Sequence, residues 1–155
     1  MIPVEVWRLL HIFFAFGFVS SLVVCDWNGR AARGTEDWRE RALLWGIVRK
    51  AAGVGLGTLL ALGVLGNVLS IALGYRMSAD AWPRWVNALW LAAVIAQGVV
   101  IAPGAARLAG LAKAGAGGGP VEGYGPALRR WRLGNVAQSL LYVALLVLMV
   151  FHWRS

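Results

Sequence analysis

A chain of 155 residues that is 59% hydrophobic and 14% charged, with mean hydropathy +0.66, does not read as a water-soluble domain, where roughly a quarter of residues carry charge. The formal net charge of +8 points to membrane-flanking loops rather than to nucleic acid, because basic residues gather beside membrane spans. The single Cys25 excludes an intrachain disulfide and a cysteine cage for a metal.

The first predicted element covers residues 4–25, with Glu5 and Arg8 at its mouth and His11 inside it. The opening MIPVEVWR carries one Arg and one Glu, not the basic head of a cleaved signal. Val24 stands before Cys25, where lipoprotein processing expects a small residue. Gly34 then breaks the chain, Thr35 offers a cap, and Glu36 and Asp37 suit the positive end of a helix. A helix is therefore predicted through Trp38, Leu43, Leu44 and Trp45 into the second span, residues 51–74, in which glycines 53, 55 and 57 mark bending or close packing. The third span, residues 85–106, is uncharged, and Pro103-Gly104 is expected to end or kink it. Residues 115–126, GAGGGPVEGYGP, read as a Gly/Pro-rich linker before a fourth span at 133–151.

Each run approaches the roughly 20 residues that a helix needs to cross a bilayer core. Lipid tolerates only helices or closed barrels, and continuous rather than alternating apolar runs select helix. The predicted fold is all-α: a single-domain four-helix transmembrane bundle with a cytoplasmic helical extension before the second span. Lys and Arg set its orientation. Arg30, Arg33, Arg39, Arg41, Arg49 and Lys50 flank one connection, and Arg107, Lys113, Arg129, Arg130 and Arg132 another on the same side; Arg8, Arg76, Arg84 and Arg154 lie opposite. By the positive-inside rule both termini lie outside the cytoplasm of a bacterial plasma membrane. Trp7, Trp82, Trp85 and Trp153 would then mark the outer interface, and Trp27, Trp45 and Trp131 the inner one.

Small residues at fourfold spacing, Gly17/Ser21, Gly53/Gly57 and Gly66/Ser70/Gly74, predict close helix packing. Depth singles out chemistry. At about 1.5 Å per residue, His11 on the first span and Asn67 on the second lie level in the outer half, with Ser70 one turn above Asn67. His152 sits at the rim of the last span, whereas Gln97, Asn135, Gln138 and Ser139 fall at the middle or inner side. A histidine inside a span is costly and calls for a reason. It is either a ligand to haem b or copper, or a side chain hydrogen-bonded to Asn67, Ser70 or a carbonyl. His152, beside Trp153 and Arg154 at a helix C-terminus, suits the interface and the helix dipole. None of the seven acidic residues lies deep in a span, which argues against a proton-coupled pump. The motifs of nucleotide-binding proteins, hydrolases and zinc enzymes are absent from the sequence.

Leu10-His11-Ile12 early in span one, the segment EDWRERALLWGIVRK, a glycine-rich second span and ALRRWRLGN before a last span ending LLVLMVF together resemble an uncharacterised family of bacterial four-helix integral membrane proteins. More distantly the layout is similar to copper-resistance D-type domains and the J-type protoporphyrinogen oxidase. The resemblance implies a four-helix bundle and, from the oxidase relatives, a haem-linked histidine at His11. The oxidase pattern adds an intramembrane lysine, and spans two to four here hold none; the copper relatives imply copper passage, yet Met1, Met77 and Met149 are scattered.

The expectation is a small membrane protein without stand-alone enzymatic activity. It binds haem b or acts in redox chemistry through His11, with Asn67 and Ser70 orienting the ring and His152 the remaining cofactor-side candidate. Two alternatives stand beside it. One is an accessory or scaffold subunit that docks a larger membrane complex, a second copy of itself or anionic lipid headgroups. The other is a carrier of copper or a small solute.

Overall fold

A computed structural model describes residues 2–76 and 80–152, the side chain of His152 excepted. Helix α1, Val4–Gly34, is followed after three residues by α2, Trp38–Ala72. Asp37, not Thr35, caps α2: its carboxylate accepts from the Arg39 N–H at 2.9 Å and satisfies one of the donors a helix start leaves open. Thr35 instead ends α1 in an extended conformation, and its hydroxyl accepts from the Asp37 N–H at 3.2 Å. Arg41 locks this joint. Its guanidinium donates to the carbonyls of Ala32, at 3.0 Å, and Thr35, and lies 4.2 Å above the Trp38 ring. The cation thus meets the carbonyl end of α1, where the helix dipole is negative.

At its other end α2 closes through Gly74, which at φ +85° donates to the Ile71 carbonyl at 3.0 Å, a left-handed stop that suits glycine. The third rod consists of α3, Ala81–Ile95, a π-helical stretch, Ala96–Ile101, and α4, Ala102–Ala116. Pro103 therefore does not end the helix. Proline cannot donate backward and its ring crowds the carbonyl four residues before it. The widened turn immediately upstream, in which Ala102 N–H bonds the Gln97 carbonyl, absorbs that conflict. The linker shrinks to residues 117–123, with Gly118 and Gly123 at positive φ, and α5 runs Tyr124–His152 with Pro126 in its first turn, where the missing N–H costs nothing.

The four rods are longer than the predicted spans because each continues in helix into its basic flank. Rods of 28 to 36 residues extend roughly 42–54 Å at about 1.5 Å per residue, against about 30 Å of hydrocarbon. Helix α1 packs along α2, α2 on α4, and α5 on the whole third rod. One buried cluster, around Trp45, Val48, Ile101, Leu108 and Trp131, holds the end at which the two basic connections lie; a smaller one, Phe18, Leu59, Leu62 and Ala93, holds the middle. Trp45 and Trp131, expected at an interface, are instead core residues, stacked edge to face at 4.9 Å. The bundle extends far enough past the hydrocarbon to enclose them. Trp27 and Trp85 are exposed, as interfacial tryptophans are; Trp153 lies outside the described residues. Phe13, Phe16, Leu60, Val64, Leu91, Val99, Leu140 and Val147 face outward from all four rods. Among the described residues four helices are long and apolar enough to cross a membrane, and the fold is that of a multi-pass membrane bundle.

The glycine contacts expected on α2 hold at Gly55 and Gly66 and fail at Gly53 and Gly57. Gly53 and Gly57 face open space, and Gly74 makes a turn. The close approaches are at Gly55, under Ser21 and Gln97, at Gly63, under Trp90, and at Gly66, under His11. Positions 53 and 57 each stand two residues, about 200° around the helix at 3.6 residues per turn, from Gly55, so they point to the other side.

Candidate functional site

At the end of the bundle opposite the basic connections, the rods part around a cavity of about 510 Å³, within the range of small-molecule and cofactor sites. Above the Phe18–Tyr142 ring contact, at 5.5 Å, residues from α1, α2, α3 and α5 line it. Its wall is largely hydrocarbon, from Ile12, Leu62, Val86, Leu145 and Val150, broken by Arg8, His11, Asn67, Ser70 and Asn87. Arg8 and His11 stand three residues apart and so share one face of α1.

The His11 ring is seated by a missing side chain. A methyl group built on Gly66 would lie 3.1 Å from Cε1 and 3.5 Å from Nδ1 of His11, so the imidazole rests on bare α2 backbone. Nδ1 is buried without a partner in hydrogen-bond geometry, and the Leu62 backbone approaches the ring. With Nδ1 sealed, a molecule in the cavity would meet the imidazole at Nε2, the nitrogen that a neutral ring frees when Nδ1 carries the proton.

Asn67 and Ser70 line the same cavity as His11, as depth along the spans predicted, and their own hydrogen bonds run elsewhere. The Ser70 hydroxyl donates to the Gly66 carbonyl at 2.8 Å. The Asn67 amide donates to the Gly63 carbonyl at 2.8 Å and forms a reciprocal pair with Asn87, at 3.0 and 3.1 Å. This amide pair ties α2 to α3 and satisfies both carbonyl oxygens inside an apolar setting. Beside it, Trp90 lies across Gly63 and donates from Nε1 to the Leu59 carbonyl at 2.9 Å. His152 ends α5, and its side chain lies outside the described residues.

Among the lining residues that were not singled out from the sequence, Asn87 and Met149 bring polar or ligating atoms. Asn87, with Gln97 one of two amides in the third span, is the seventh residue of the third rod and could have been found by its depth. Met149 brings a thioether from α5 to the cavity that His11 lines from α1; nothing in the spacing of residues 11 and 149 signals that meeting. No protein-family model, no curated protein and no solved structure matches the chain.

Proposed function

We propose that the protein is a small integral membrane protein of a bacterial plasma membrane that binds haem b in this cavity through His11 and serves in redox chemistry rather than as a stand-alone enzyme. The observation that carries the reading is the imidazole held on Gly66 at the wall of a largely apolar cavity of about 510 Å³. A porphyrin brings four nitrogen ligands and asks one or two more of the protein. His11 would supply one through Nε2, and the Met149 thioether is available from another rod. The apolar walls suit a macrocycle, and Arg8 suits carboxylate substituents at its edge. Bound haem would supply one-electron redox chemistry; the chain's part is to hold the ring, exclude water and set the ligand field.

The test is the absorption spectrum of the purified protein from haem-replete cells, oxidised and dithionite-reduced. A Soret band with sharpened reduced bands is expected, lost in His11→Ala. Met149→Leu should keep the haem and lower its reduction potential if the thioether is a ligand, because a Met/His pair raises the potential. A folded, colourless protein that takes up no added haem would overturn the proposal.

A further inference from the structure

We infer that the centre of the bundle binds water, held in its interior by Gln97 of the third rod and Asn135 and Gln138 of α5. These three side chains are 1%, 7% and 0% exposed. The protein leaves four of their polar atoms without a partner: Oε1 of Gln97, Oδ1 of Asn135, and both Oε1 and Nε2 of Gln138. Turning the Gln138 amide over would change nothing, since both of its polar atoms are unpartnered.

Packing sets the three at similar depth in the bundle, each buried in its interior. Gly104 lies against Trp131, and Gly134 lies against Val100 and Ile101, so the rods run antiparallel in a fixed register. Seven residues on from Trp131 in α5 is Gln138, and seven back from Gly104 in the third rod is Gln97. The two amides therefore stand at one level, with Asn135 one turn nearer the basic end on the same face of α5. The level is the middle of the bundle: Gln138 is fourteen residues from either end of α5. Gln97 is fixed there through its other atom. Its Nε2 donates to the Ala52 carbonyl at 2.8 Å, beside the bare backbone of Gly55 and the Ser21 hydroxyl. It also sits in the π-helical turn, a distortion that often marks functional positions.

Unpaired polar atoms are expensive in a protein interior, and more so in one surrounded by hydrocarbon. The groups are neutral, and Gln138 offers both a donor and an acceptor, so their partner must accept as well as donate. Water does both and is the usual partner of such groups, each buried molecule making two to four hydrogen bonds. This site is separate from the His11 cavity: none of the three residues lines that cavity.

The experiment is solution NMR of the full-length protein in deuterated detergent, reading magnetisation transfer from water to the side-chain amides, with assignments from Gln97→Leu, Asn135→Leu and Gln138→Leu. Cross-peaks at the water frequency to the Gln138 and Asn135 amide protons are expected. Cross-peaks between the Gln97 and Gln138 amides without transfer from water would overturn the inference in favour of direct pairing. So would amide shifts that appear with Na⁺ or K⁺ but not with choline and without transfer from water, which would mark a cation site.

Discussion

His11 is positioned by what Gly66 lacks. A Cβ at residue 66 would stand 3.1 Å from the imidazole, one at residue 63 would stand 2.0 Å from the Trp90 indole, and one at residue 57 would meet nothing. These positions on one helix separate packing from propensity. Gly57→Ala should stabilise by up to about 1 kcal/mol, the helix preference of alanine over glycine. Gly66→Ala should change stability little, because the ring must give by tenths of an ångström against about 1 kcal/mol of alanine's helix preference, and should weaken ligand binding at His11 by displacing the imidazole. Gly63→Ala should cost more, toward the upper end of the roughly 1–3 kcal/mol of overpacking, because the rigid indole must leave both its seat and its bond to Leu59. Unfolding in detergent reads all three, and an equal response at 57 and 63 would remove the packing account. At this scale the sequence was informative about depth: His11, Asn67 and Ser70 share a wall because they share a level. It was silent on rotation. Which glycine lies under a neighbouring side chain depends on which face of α2 meets α1 and α3, and a glycine-rich helix with apolar residues on every side carries little record of that in its own pattern.

Between elements, the Asn67–Asn87 pair is a side-chain polar link of α2 to α3, beside the bond from Trp90 to the Leu59 carbonyl. Asn67→Leu should destabilise by about 1–3 kcal/mol, because it leaves the Asn87 amide without its partner in an apolar setting. Asn87→Leu should do the same to Asn67, though less, since Asn67 keeps its bond to the Gly63 carbonyl. In the double variant both amides are gone, and the loss should be smaller than the sum of the two single losses; the coupling, measured as a double-mutant cycle in detergent, should be about 0.6 kcal/mol and at most about 1.7 kcal/mol, as for such bonds between membrane helices. Additive losses would mean that the pair contributes no energy of its own. The helices themselves were legible as continuous apolar runs, and the joint before Trp38 as a cluster of capping residues. At Pro103, where a stop or a kink was expected, the stop does not occur: a proline forbids an ordinary turn, but a π-helical turn just before it lets the rod continue to Ala116, and nothing local distinguishes that outcome from a stop. The linker was read too long for a related reason, as Pro126 and Gly125 look like breakers yet occupy the first turn of α5, where they are tolerated.

The whole molecule is asymmetric along its axis. One end is filled by Trp45, Leu108, Trp131 and their neighbours and carries both basic connections; the other opens into the His11 cavity. The long helices put the eleven basic residues of one side beyond the apolar middle, where the positive-inside rule gives them to the cytoplasm. If the bundle is inserted that way, the cavity and its histidine face the outer half of the membrane, and any redox partner meets the protein from that side or within the bilayer. The orientation is testable without a ligand. In a Cys25→Ser background, Gly117→Cys places a thiol in the linker between α4 and α5, and Ile2→Cys places one at the opposite end. A membrane-impermeant maleimide applied to intact spheroplasts should label position 2 and spare position 117, with both labelled after permeabilisation. The reverse pattern would place the cavity in the cytoplasmic half and move the expected partner with it, while leaving the His11 site itself intact. The two questions, what binds and from which side, thus have separate answers.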